Sequence, residues 1–257
     1  MLMTGAKIEG RRIWIVLAFA ACALGLHTPI SAQIMDYNRW KIDVTPYFWL
    51  AGTTGDLVLN GEPHPIDVTF KELSDFASWG ISGHVEARKQ LWAFIADVRY
   101  RDLDSQEEQG STDLKSTLFE VSAAFTFFRS FEYPVTFDVL AGLRYFNTRW
   151  SIRDAASEPS GEENWVDPII GGRTAWKPGE AWTLSLRGDI GGFGAGSSFS
   201  WNAAAVAAYR VYGFSFILGY RAWNADYESG SGTELFKYDL TTHGPGIGFT
   251  FHFGGGS

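Results

Sequence analysis

The amino-acid sequence predicts an all-β protein: a closed, antiparallel, up-and-down transmembrane β-barrel of about ten strands, eight or twelve being the neighbouring even numbers. Three observations predict it. Apolar residues alternate with small or polar ones over segment after segment, the connections between segments are short and long by turns, and the Trp and Tyr residues of the apolar face gather at two heights.

Alternation comes first because successive side chains of a strand point to opposite faces. In "WAFIADVRYRDL", Trp92, Phe94, Ala96, Val98 and Tyr100 fall on one face and Asp97, Arg99 and Arg101 on the other. "VTFDVLAGLRY" sets Val135, Phe137, Val139, Ala141, Leu143 and Tyr145 against Asp138, Gly142 and Arg144, and "WTLSLRGDI" repeats the pattern. One face is too polar for a buried parallel sheet. After the first 32 residues no run of 18 apolar residues occurs, so no membrane helix is expected there. Ten strands are predicted, near residues 40–52, 78–88, 91–104, 113–128, 134–150, 164–177, 181–192, 198–211, 213–227 and 235–253.

The connections supply direction. "RKQL", "RSFEYP", "KPGE" and "RVYG" are short, whereas "GTTGDLVLNGEPHPIDVTFKELSD", "DSQEEQGST", "IRDAASEPSGEEN", "GFGAGSS" and "YESGSGTE" are long. Bacterial outer-membrane barrels have this asymmetry, with short periplasmic turns and long extracellular loops.

Alternation alone would also fit a soluble barrel with its apolar face inside. The aromatic positions separate the two. Trp92, Trp176, Trp182 and Tyr209 lie on the apolar face beside the short turns, and Tyr100, Tyr145, Trp201 and Tyr220 lie on the same face nearer the long loops. Two aromatic girdles around a band of Ala, Val, Leu and Phe suit the two lipid interfaces. The opposite face then lines the lumen, with Glu86, Arg88, Asp97, Arg99, Glu120, Asp138, Arg144, Asp167, Arg173, Arg187, Asp189 and Arg221. Enclosed charges must pair, so ion-paired layers are expected in a narrow interior.

Residues 1–32 read as a cleavable secretory signal: Lys7, Arg11 and Arg12 precede the apolar run Ile13 to Leu26, and Ala32 offers a small residue before a cut. Two weaker readings are a lipobox at Cys22 and a partial twin-arginine signal. Residues 33–257 form the single barrel domain. Cys22 is the only cysteine, so no disulfide holds the mature chain. The whole chain carries a net charge of −8, and loss of the basic leader makes it more acidic. That charge argues against nucleic acid as a partner. The partners expected are outer-membrane lipid, lipopolysaccharide and the barrel assembly machinery.

The runs "WVDPIIGGR" (165–173), "RGDIGGFGAGSSFSWN" (187–202), "LGYRAWNADYESG" (218–230) and "HGPGIGFTFHF" (243–253) resemble a family of uncharacterised proteobacterial outer-membrane β-barrel proteins. The resemblance runs over nearly all of the mature chain, from "IDVTPYFWLAG" onward, and implies fold and location without an activity. The closing strand also resembles the signal by which the assembly machinery recognises barrels, through Gly248, Phe251 and Phe253. It departs from that signal at Gly246 and in the trailing "GGGS".

Chemistry is sparse. Ser82, His84 and Glu86 share the polar face of one strand, but positions i, i+2 and i+4 spread over roughly 13 Å, so a lumenal hydrogen-bond network is preferred to a nucleophilic site. His243 with Asp239 is a second weak catalytic pair. "GDIGGFGAGS" has no following helix to direct amides at a phosphate, so a tight loop is expected. His64, His84, His243 and His252 show no metal-ligand spacing, and the acidic runs "DSQEEQ" and "SEPSGEEN" read as solvated surface. No cofactor or catalytic residue is assigned. A structural or surface-binding barrel is the expectation, with a narrow pore or a rim hydrolase as alternatives.

Overall fold

The computed structural model describes residues 39–68, 79–107, 110–130, 132–154 and 160–254. The proposed leader, the middle of the first long loop and the final "GGS" lie outside the described residues.

Twelve strands run in chain order: β1 (Lys41–Trp49), β2 (Gly52–Leu59), β3 (Glu62–Val68), β4 (Trp79–Lys89), β5 (Trp92–Glu107), β6 (Gly110–Ser130), β7 (Val135–Asp154), β8 (Ser160–Trp176), β9 (Trp182–Gly191), β10 (Phe199–Val211), β11 (Phe214–Ser229) and β12 (Phe236–Phe253). Ten of them, β1 and β4 to β12, form an antiparallel ring, closed where β12 pairs β1 from Ile42↔Phe253 to Trp49↔Gly246. Closure matters because in hydrocarbon an unpaired backbone group costs several kcal/mol, so only a sheet without edges can span.

The two further strands form a hairpin within what the sequence suggested was one long loop. β2 continues the line of β1 along β12, from Gly52↔His243 to Val58↔Lys237, and the Leu50 amide bonded to the Pro245 carbonyl (2.9 Å) carries the register across the break. The partner on the other side changes there: β1 pairs β4, whereas β2 pairs β3. Asn60 and Gly61 join β2 to β3 with φ of 54° and 81°, the backbone of a two-residue type I′ turn, for which Asn-Gly is the favoured pair.

The expected asymmetry between the two ends takes a different form. Turns at one end stay short, with Gln90–Leu91 and Tyr212–Gly213 as two-residue connections. At the other end most of the anticipated loop length is strand. β5 and β6 pair out to Glu107↔Gly110, and β7 pairs β8 out to Ser151↔Ser160. Residues there extend the ladder because Leu114, Trp150, Trp165, Phe236 and Tyr238 face inward and bury one another.

The two faces sort by chemistry. Phe94, Val98, Leu143, Ile170, Leu186 and Leu218 point outward, 43–61% exposed, and form a belt of apolar surface around the cylinder. A belt of that extent has lipid as its natural solvent. Trp92, Trp176, Trp182 and Tyr209 edge it beside the short turns, with the Trp182 and Tyr209 rings 5.0 Å apart. Tyr100, Tyr145, Trp201 and Tyr220 lie on the outward face at the other edge. From Trp92 to Tyr100 is eight residues, roughly 27 Å of strand.

Candidate functional site

The interior is built in three storeys, each fixed by strand register. The lowest centres on Asp138 of β7. Arg88 reaches from β4 and Arg173 from β8, each through Nη2 at 2.7 Å to Asp138, and both also bind Glu86, Arg88 through Nε at 2.9 Å and Arg173 through Nη1 at 2.5 Å. Thr126 donates to Asp138 at 2.7 Å and accepts from Arg88 at 2.8 Å. Two carboxylates are thus held by two guanidiniums.

The middle storey is larger. Arg144 binds Glu120 at 2.8 Å and Asp189 at 2.5 Å, and Arg187 binds the same two carboxylates. Asn202 donates to Asp189 and accepts from Arg221, which in turn approaches Asp97 at 3.4 Å. Asp97 further accepts from Arg99 Nε at 2.9 Å and from the Tyr47 hydroxyl at 3.2 Å, and lies 3.2 Å from His84 Nδ1. Glu120 and Asp167 are fully enclosed, and Arg144 is 1% exposed. Groups this dry are tolerable only with partners in good geometry.

Asp167 does not join these ion pairs. It accepts the Ser197 amide at 2.7 Å, while the Trp165 indole donates to Ser197 Oγ at 2.9 Å. Together they tie the glycine-rich β9–β10 connection into the barrel mouth, and positive φ at Gly192, Phe193 and Gly194 turns the chain there.

The upper storey is apolar, and the strand-face reading did not anticipate it. Leu118, Phe146, Trp150, Trp165, Trp223 and Leu240 point inward and pack together. Phe146 stacks on Trp165 at 4.9 Å, Trp165 on Tyr227 at 4.1 Å and Trp150 on Phe236 at 5.0 Å. Each lies on the lumenal parity of its strand, on the long-loop side of the ion-paired residues. Between this plug and Arg99 is a cavity of about 30 Å³, lined in part by Trp49, Thr53, Arg101 and Thr242. Such a space is the size of one water molecule.

The residue sets considered for catalysis are dispersed. His84 meets Asp97, while Glu86 is engaged by Arg88 and Arg173, so Ser82, His84 and Glu86 do not form a chain of proton carriers. His243 bonds the Tyr220 hydroxyl at 2.8 Å, and Asp239 accepts from Asn224 instead. Among the described residues no three His, Cys, Asp or Glu side chains converge as metal ligands. Gly248 has a packing role of its own: a Cβ there would lie 2.5 Å from the Pro46 carbonyl oxygen and 2.6 Å from Tyr47 Cβ. Its bareness lets Tyr47 reach Asp97. Phe251 and Phe253 point outward from the closing seam, paired with Val44 and Ile42.

A closed ring with apolar sides and an ion-paired lumen finds its counterpart among solved structures. The outer-membrane protease OmpT of Escherichia coli superposes with a TM-score of 0.54 at 9% sequence identity, covering 87% of this chain and 99% of that one. The fold is that of a bacterial outer-membrane β-barrel. Its apolar belt puts the barrel in the bacterial outer membrane. The translocator domain of the autotransporter NalP from Neisseria meningitidis gives a TM-score of 0.43 at 10% identity, covering 94% of this chain and 95% of that one. Ail of Yersinia pestis gives 0.37 at 11%, covering 84% and 99%. No family model and no curated protein matches the sequence.

Proposed function

We propose that this barrel is a non-conducting outer-membrane protein whose extended strands serve as a rigid extracellular platform, with a structural or binding role at the cell surface. The observation that carries the proposal is the filling of the interior by two ion-paired storeys and an aromatic plug. A ten-stranded ring lies between the small filled barrels and the open porins in width, so occupancy of the lumen decides between wall and pore. The extension rises well past the outer girdle: β12 continues for nine residues from Pro245, the partner of Tyr220, back to Phe236. Lipid and lipopolysaccharide would surround the belt, the assembly machinery would insert the chain, and the likeness in "WVDPIIGGR" and "HGPGIGFTFHF" fits membership of an uncharacterised proteobacterial barrel family.

The test is conductance. Purified protein inserted in planar bilayers should give no discrete current steps in molar salt, and an epitope placed between Asn60 and Gly61 should be reached by antibody on intact cells. Stepwise conductance, or an epitope accessible only after lysis, would reverse the reading. A hydrolytic role has one specific observation in its favour, at the opposite end of the molecule.

A further inference from the structure

Beside the lowest ion-paired storey, where Asp43 pairs with Glu86 near the end with the short turns, three side chains from three adjacent strands meet in the lumen. Ser215 is the second residue of β11, His252 the penultimate residue of β12 and Asp43 the third of β1. Register sets them together: Ser215 pairs with Thr250, and Asp43 with His252, so cross-strand neighbours on one face fall within reach. Ser215 Oγ lies 2.8 Å from His252 Nε2, and His252 Nδ1 lies 2.7 Å from Asp43 Oδ1. We infer that Ser215, His252 and Asp43 form a nucleophilic site open to the periplasm, which cleaves slender acyl esters carrying an anionic group.

The geometry supports each role. Asp43 bound at Nδ1 holds the proton on that nitrogen and turns the Nε2 lone pair to the serine hydroxyl, the arrangement by which such sites are recognised on unrelated folds. Asp43 is a positioning residue, since it acts through the imidazole. Above the trio, the Thr45 and Thr250 hydroxyls bond each other at 2.8 Å. The side chains of His252 and Asp43 are 21% and 43% exposed, whereas Ser215 is 4% exposed, so access is from the Asp43 side and the nucleophile is deepest. Only a thin acyl group reaches that depth. At this mouth burial and the repulsion of Lys41 and Arg210 hold the Lys177 ammonium below the usual lysine range, with Asp43 opposing in part, so three cations lie within electrostatic reach of one another beside the site. Their positive potential favours an anionic substrate.

In the reaction, Ser215 Oγ bonds to the ester carbonyl carbon as its proton passes to His252 Nε2. The carbon–oxygen bond to the alcohol then breaks, and that proton leaves with the alcohol. Water adds to the acyl-serine through the same nitrogen, releasing a carboxylic acid and restoring the hydroxyl.

The test uses the full barrel folded in detergent, its closure checked by the change in gel mobility on boiling. An alkyl fluorophosphonate should form one adduct, with the new oxygen–phosphorus bond at Ser215 and fluoride released, absent in Ser215→Ala and formed roughly 10²–10⁴-fold more slowly in His252→Ala. The p-nitrophenyl monoester of glutaric acid should be hydrolysed faster than p-nitrophenyl valerate, and Asp43→Asn should lower kcat with KM unchanged. If Ser215→Ala fails to close, Ser215→Cys replaces it, and its thiol should react with iodoacetamide faster than the thiol of the Ser215→Cys, His252→Ala double variant. No adduct on the folded wild-type chain, an adduct elsewhere, or equal rates with and without His252 would leave only a lumenal hydrogen-bond set and overturn the inference. Conductance plays no part in these readouts, so this site and the closed-barrel reading stand or fall separately.

Discussion

At the scale of single residues, buried and exposed charges of the same type have different consequences. Arg144 is 1% exposed and shared between Glu120 and Asp189, so its removal takes one of two guanidiniums from a pair of enclosed carboxylates and leaves Arg187 to hold both. Arg144→Ala should cost about 3–5 kcal/mol, read as a lower urea midpoint of tryptophan fluorescence in lipid vesicles. Arg149 also makes a direct ion pair, with Glu162 at 2.9 Å, but in the open. Solvent screens that pair, so Arg149→Ala should leave the midpoint unchanged. Tyr238, above the membrane, gives a pH signature. Burial raises its phenol above the ordinary range, with Arg101 opposing in part. The proton is retained longer in the folded state than in the unfolded one, so this contribution to stability is complete below the ordinary phenol value of about 10 and is lost as pH rises through the elevated one. Stability measured from pH 9 to 12 should therefore fall less steeply in Tyr238→Phe than in the wild type.

At the scale of elements, the β2–β3 hairpin depends on its turn. Gly61 has φ of 81°, and a Cβ there would lie 2.5 Å from the Gly232 carbonyl oxygen. Gly61→Val should strain the turn by about 1–3 kcal/mol and expose the hairpin to limited proteolysis, while the ten-stranded ring keeps its shift in mobility on boiling. The same hairpin marks where the sequence is hard to read. All ten ring strands are visible in the alternation, because each has one face in lipid and the other on a polar lumen, which is the contrast that a period of two records. Past the outer girdle both faces change: the outside becomes polar, and the inside becomes Phe146, Trp150 and Trp223. The alternation reverses its sense within one strand, so a reading that follows a constant apolar face ends the strand too early and names the remainder a loop. Asn60-Gly61 was the local signal for the missed hairpin. The charged lumenal residues could be assigned to a face from the sequence, but their partners could not: the contacts of Glu86 with Arg173, or of Asp97 with Arg221, join strands remote in the chain. The meeting of Ser215, His252 and Asp43 was invisible for the same reason, since the three are brought together by the closing seam and lie 37 and 209 residues apart in successive pairs.

At the scale of the whole molecule, the storeys divide the work. The aromatic plug lies above the membrane and holds the extended strands to one another, each ring pair contributing about 0.5–1.5 kcal/mol beyond its buried area. The ion-paired storeys lie within the belt, where the strands are already held by lipid outside and by backbone pairing, and there they fill the cross-section. Stability of the platform and closure of the lumen are thus separable, and a double substitution in the plug tests it. In Trp150→Ala, Trp223→Ala, each lost ring should cost about 3–5 kcal/mol, seen as increased proteolysis of the extension and a lower urea midpoint. Planar-bilayer recordings of the same variant should still show no steps, because Arg88, Glu86, Asp138 and Arg173 below, and Arg144, Glu120, Arg187 and Asp189 above them, continue to occupy the bore. If the double variant conducts, the plug is the gate and the charged storeys are permeable; if it is silent but unstable, the ion pairs alone seal the barrel.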